Sequence, residues 1–200
     1  VDRRQRQMCI RYRSNSTFSS NSTNGGGGGI FNYSGIVIVN NSTFFGNSAT
    51  QNGGGGIANV VDGTLTVSNS TFFGNYTAGG FGGAIENLRI LNVSNSTFSG
   101  NSPSDGGGIA NFGPADVSNS TFSDNSAGSG GGIYGDALTL KNTIVANSPT
   151  GGNCYGAITD GGGNLSYPDA TCPGINADPV LGPLQNNGGP TLTMDLGPGS

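Results

Sequence analysis

A chain of 200 residues with 39 glycines, no tryptophan and no histidine lies far from ordinary globular composition, in which glycine supplies about 7% of residues. Charged residues are only 9% of the chain, too few for the usual disordered segment. Residues 14–200 carry ten acids against the two bases Arg89 and Lys141, which excludes a phosphate-backbone interface along the body, so nucleic acid is not an expected partner.

In chain order, residues 1–13 form a basic segment with Arg3, Arg4, Arg6, Arg11 and Arg13. It has no signal-peptide core and reads as a solvated or truncated end, or as a polyanion or membrane-surface contact. Cys9 is buried, free or intermolecular in this reading. No apolar run approaches the roughly 20 residues that cross a bilayer, so no membrane-spanning segment is predicted. The first residues lie close to a repeat and the last are Pro-Gly-Ser, so flanking sequence is expected on both sides.

Residues 14–150 are built on a repeat. STFSSN at 16–21 recurs as STFFGN at 42–47 and 70–75, STFSGN at 96–101 and STFSDN at 120–125. A second motif, Gly-Gly-(Gly/Ala)-Ile, recurs in phase at Ile30, Ile57, Ile85, Ile109 and Ile133. Each unit holds short extended segments, such as GGIAN at 55–59, TLTVSN at 64–69 and STFFGN at 70–75. They are too short and too rich in Gly, Ser and Thr for helices. Three strands in a unit of about 24 residues describe one coil of an all-β, right-handed parallel β-helix, each strand pairing with its equivalent about 4.8 Å away. Five to six coils are predicted.

Stacking puts equivalent positions above one another, so the repeat specifies its own columns. Phe44, Phe72, Phe98 and Phe122 are expected to form an inner aromatic stack, Ile57, Ile85, Ile109 and Ile133 a second inner wall, and Val67, Val93 and Val117 a third. Three asparagine columns emerge: Asn41, Asn69, Asn95 and Asn119; Asn47, Asn75, Asn101 and Asn125; and Asn59, Asn87 and Asn111. Asparagine tolerates a left-handed turn, and its amide donates to one coil while accepting from the other. Eleven Asn-x-Ser/Thr sequons coincide largely with such positions; Asn32 and Asn164 are the better candidates for glycosylation. The residue after each stacked Phe should point outward, which makes Phe45 and Phe73 a candidate contact patch unless the loop 76–81 covers it.

Residues 151–200 lack the STF motif and hold Cys154, Cys172 and most of the prolines. They are read as a C-terminal cap or connecting segment closed by a Cys154–Cys172 disulfide in an extracellular setting. The run INADPVLGPLQNNGGPTLTMDLGPGS at 175–200, after NCYGAITDGGGNLSYPDATC, resembles the C-terminal part of repeats in bacterial surface proteins of the choice-of-anchor Q group. The STFSGN and GGGI repeats resemble the same proteins and, more loosely, chlamydial polymorphic outer-membrane proteins. The resemblance covers nearly everything after residue 14 and implies a secreted, β-helical, surface-attached protein. The arginine-rich start and the absence of a sorting motif up to Ser200 depart from that pattern.

Many parallel β-helices cleave polysaccharides, and such sites need carboxylates close together. Here no repeat column contains two acids, Glu86 is the single glutamate, and a polysaccharide lyase or hydrolase is the enzyme alternative to a non-catalytic reading. No catalytic, metal or cofactor residues are assigned: zinc lacks its usual ligands, and the calcium-binding β-roll repeat is absent. The sequence therefore predicts a secreted or cell-surface scaffold or adhesin. Its partners would be surface glycans or proteins, or further copies of itself joined laterally or end to end as a filament.

Overall fold

The computed structural model describes residues 10–198 apart from Asn52. Cys9 and the arginines at 3, 4 and 6 lie outside the described residues. The chain is an all-β solenoid whose strands pair in parallel with their equivalents in the next coil.

One wall carries the phenylalanines. Its eight strands follow chain order: Thr17–Ser19, Thr43–Phe45, Thr71–Phe73, Thr97–Ser99, Thr121–Ser123, Ile144–Ala146, Leu165–Tyr167 and Ile175–Asn176. A three-residue strand turns its middle side chain inward, so the Phe of each STF faces the core. Successive rings from Phe18 through Phe44, Phe72 and Phe98 to Phe122 lie 4.5–4.9 Å apart and within 7° of parallel. The column continues as Val145 and Ser166. Each buried ring contributes about 1.5–3 kcal/mol by burial, and each stacked pair about 0.5–1.5 kcal/mol more.

A second, eleven-stranded sheet combines the isoleucine and valine walls. In the early coils GGIAN and TLTVSN are not separate strands: Ile30–Asn40 and Ile57–Ser68 run through both. Later coils divide this span into Ile85–Asn87 with Ile90–Ser94, Ile109–Asn111 with Ala115–Ser118, and Ile133–Gly135 with Leu138–Lys141. Two inward columns follow from the register, Val37–Leu65–Leu91–Ala115–Leu138 and Val39–Val67–Val93–Val117–Leu140. The third side is short, with pairs at Ser22–Thr23, Ser48–Ala49 and Tyr76–Thr77. Glycine backbone bonds between coils complete it.

The glycine motif makes room for the aromatic stack. A Cβ on Gly56 would stand 3.2 Å from the Phe72 ring, and one on Gly108 would stand 2.7 Å from Phe122. Two residues earlier in the motif, Gly54 turns the chain with φ +74°, a conformation that side chains disfavour.

The solenoid does not stop at either expected boundary. Ile10–Ser14 already pairs with Ile36–Asn40, inside the segment read as a basic arm. Beyond residue 150, Cys154–Tyr155 and Ile158–Asp160 extend the large sheet. The repeat is masked there because Cys154 takes the isoleucine position above Ile133 and Ser166 the phenylalanine position above Val145. Cys154 is bonded to Cys172, a linkage that persists in oxidising compartments. From Val180 to Gly197 the chain folds back as a hairpin, with Gln185 and Thr193 exchanging backbone hydrogen bonds. Its Leu192 carbonyl accepts from Thr71 Oγ1 at 2.6 Å, so the hairpin covers the outward side of Thr71.

Candidate functional site

The repeat motif can be read atom by atom, and most of its polar groups are occupied inside the rod. In Asn-Ser-Thr-Phe-x-Gly-Asn, the first Asn takes left-handed backbone, φ 48–49° at Asn41, Asn69, Asn95 and Asn119. The Ser hydroxyl donates to the carbonyl two residues back and accepts a backbone N–H from the preceding coil, as with Ser70, which donates to Ser68 and accepts from Ser42. Thr points out, Phe points in, the following residue points out, and Gly turns the chain again with φ +59 to +62° at Gly46, Gly74 and Gly100. The last Asn, buried from Asn47 to Asn125, donates its amide to the equivalent Asn of the next coil. This chain runs Asn21–Asn47–Asn75–Asn101–Asn125 at 2.8–3.0 Å.

A second amide ladder runs Asn32–Asn59–Asn87–Asn111 at 2.7–2.8 Å. The Asn41 column is different in kind. Its members sit at half-exposed to exposed turn positions; Asn69 donates to Asn40 rather than Asn41, and the one amide contact down the column joins Asn142 to Asn119 at 3.2 Å. Left-handed turn geometry, not amide stacking, is what that column supplies. The serine ladder, by contrast, escaped sequence reasoning, although a Ser stands before every STF threonine.

The two expected glycosylation positions are corrected by their burial. Asn32 is fully buried, with its amide donating to Asn59. Asn164 is 4% exposed and donates to Leu140 and Asp160. Neither side chain reaches the surface that a glycan needs.

Carboxylates do not gather. In the paired registers Glu86 lies between Ala58 and Ala110, Asp116 between Asn92 and Thr139, and Asp160 beside Leu140. Among the described residues, no three His, Cys, Asp or Glu side chains come together as a metal cage. Glu86 is nonetheless unusual. It is 8% exposed, and burial pushes its carboxyl up to about 7, opposed by a hydrogen bond from the Gly53 backbone. Gly53 packs so closely on this carboxyl that an added Cβ would stand 2.6 Å from Cδ.

The exposed chemistry is aromatic. Phe45 and Phe73 stack outward at 4.3 Å and 18°; Phe45 is 44% exposed and Phe73 half-buried. A larger cluster lies on the isoleucine wall, where Tyr134 and Tyr155 occupy one outward column at 5.3 Å and 5°. Phe112 stands 5.8 Å from Tyr134, and Phe81 meets Phe112 edge to face at 5.1 Å. Between them is a pocket of about 200 Å³ lined by Phe112, Tyr134, Tyr155 and Asp136 over a floor of Gly135 and Gly156. Sequence reading passed over this pocket because the column became visible only once Cys154 was aligned with Ile133.

Comparison with protein-family models, curated proteins and solved structures gives no match. No helix among the described residues is long and apolar enough to cross a membrane.

Proposed function

We propose that the chain is a non-catalytic extracellular scaffold: a stiff rod of a secreted or cell-surface protein that presents aromatic contact surfaces, in the manner of the choice-of-anchor Q proteins that its repeats resemble. The observation that carries this reading is the distribution of side-chain chemistry. Asparagine and serine amides and hydroxyls are tied up in ladders that run coil to coil, while the acids stand apart and the exposed clusters are aromatic. The Cys154–Cys172 disulfide supports an oxidising environment.

Adhesion to surface glycans or proteins is the use that exposed aromatic patches favour. The test is direct: incubate purified protein with neutral and uronic polysaccharides, then measure both retention on the glycan and release of reducing or unsaturated ends. Retention without product is the expected result; product formed at a rate proportional to protein would replace the scaffold with a lyase or hydrolase. Negative-stain electron microscopy over a dilution series, with and without reductant, separates isolated rods, the expected form, from filaments.

A further inference from the structure

We infer that the pocket between Phe112, Tyr134, Tyr155 and Asp136 binds a quaternary ammonium group. The amide ladder ends at Asn111, because the next position in register is Gly135 and the next after that is Gly156. The two glycines bring their backbones close to the coil before, and the pocket lies over them, between the outward Tyr134–Tyr155 column and Phe112.

The walls decide the occupant. Phe112, Tyr134 and Tyr155 give the pocket a largely apolar lining, which favours a bulky, poorly hydrated cation over a compact, strongly hydrated one, and Asp136 adds a formal negative charge among them. The body of the chain is acidic, with Arg89 and Lys141 its only bases after residue 14, so no basic residue lines the pocket to compete for the carboxylate.

A primary ammonium must satisfy three N–H donors, and several acceptors around the pocket are already engaged. Asp136 Oδ1 already accepts from the Ala157 N–H at 2.6 Å. The Asp136 carbonyl accepts from Asn111 Nδ2 at 2.7 Å, and the Ala137 carbonyl accepts from the Ala115 N–H at 3.0 Å. A trimethylammonium group has no N–H to satisfy and presents methyl groups to Phe112, Tyr134 and Tyr155. About 200 Å³ accommodates it. The recognised chemistry is therefore that of choline, free or carried as a phosphocholine headgroup.

The experiment is a titration of the intact protein, followed by amide chemical shifts, with choline chloride at constant ionic strength. Parallel arms use tetramethylammonium, phosphocholine, n-butylammonium and 3,3-dimethylbutanol, the uncharged isostere of choline. Choline and tetramethylammonium should saturate with Kd on the order of 1 mM, shifting the amides of Phe112, Tyr134, Asp136, Tyr155 and Ala157. The uncharged isostere and n-butylammonium should each bind roughly tenfold more weakly. Equal binding of phosphocholine points to a displayed headgroup, and its exclusion points to the free cation.

Asp136→Asn keeps an oxygen acceptor for Ala157 and should weaken choline about tenfold while leaving the isostere unchanged. Tyr155→Leu, at an exposed position, should weaken both. Phe45→Ala should change neither. No saturable shift at these residues in a folded protein, isostere binding as tight as choline, or a preference for n-butylammonium would each overturn the assignment.

Discussion

Asn111 lies in register with Gly135, and the buried amide ladder that starts at Asn32 ends at that contact. Asn111 Nδ2 turns instead to the carbonyls of Gly113 and Asp136 at 2.6 and 2.7 Å. Gly135 has φ +133°, and a Cβ there would collide with the Asn111 carbonyl. Restoring the motif with Gly135→Asn is therefore not a repair. It should destabilise the protein by about 2 kcal/mol or more through backbone strain, read as a lower urea midpoint, although asparagine occupies the four preceding positions of the column.

Asn101 and Asn95 share a residue type and a repeat unit, yet substitution should cost much at one and little at the other. Asn101 Oδ1 accepts both the backbone N–H and the side-chain amide of Asn75, at 3.0 and 2.9 Å. Asn101→Ala strands these buried donors and should cost about 2–4 kcal/mol. Asn95 is exposed with φ 49°, so Asn95→Gly should change stability by less than about 0.5 kcal/mol. Equilibrium denaturation of the pair checks both values against one wild type.

What the sequence revealed and what it hid follow the same physics. Stacking repeats every long-range contact at fixed spacing, so Phe44 to Phe122 and Ile57 to Ile133 could be assigned without knowing the three-dimensional path. Asparagine was ambiguous because it serves two environments. Asn41 and Asn47 recur equally often, but one supplies a left-handed turn and the other a buried amide. The last coils were hidden because chemically unlike residues, Cys154 for Ile and Val145 and Ser166 for Phe, fill the same positions. The aromatic pocket depends on those coils, and its register was obscured with them.

Phe98 lies inside the stack, with rings 4.9 Å on one side and 4.5 Å on the other. Phe98→Ala should cost about 3–5 kcal/mol, and in a solenoid each coil is held chiefly by its neighbours. The expected signature is a loss of two-state behaviour, with amide exchange accelerating around Thr71–Phe73, Thr97–Ser99 and Thr121–Ser123. Reduction of Cys154–Cys172 should act elsewhere. It should remove about 3 kcal/mol and speed exchange at Leu165–Tyr167 and Ile175–Asn176 while leaving the Phe44–Phe72 region protected. Uniform acceleration in both experiments would mean that the rod unfolds as one unit.

Glu86 makes the protein's stability depend on pH in a direction opposite to that of a carboxylate held by a cation. Its neighbours in register are Ala58 and Ala110, and the Gly53 N–H donates to it; no neighbouring charge offsets the burial that raises its folded value to about 7 from 4.5. A raised folded pKa means that the neutral form is favoured in the native state. The stabilising contribution is complete below 4.5, is lost progressively as pH rises from 4.5 to 7, and is absent above 7. For a group this buried the loss is on the order of 2 kcal/mol. Glu86→Gln keeps the shape and an acceptor for Gly53 but cannot ionise. Other acids contribute their own pH dependence, so the informative quantity is the difference in urea midpoint between wild type and Glu86→Gln at each pH. That difference should be near zero at pH 4 and grow in favour of the glutamine variant up to pH 8, with faster amide exchange at Gly53 in the wild type at the higher pH. A difference that stays constant across this range would mean that Glu86 ionises in the folded protein as it does in water, and that the loop carrying Gly53 does not shield it.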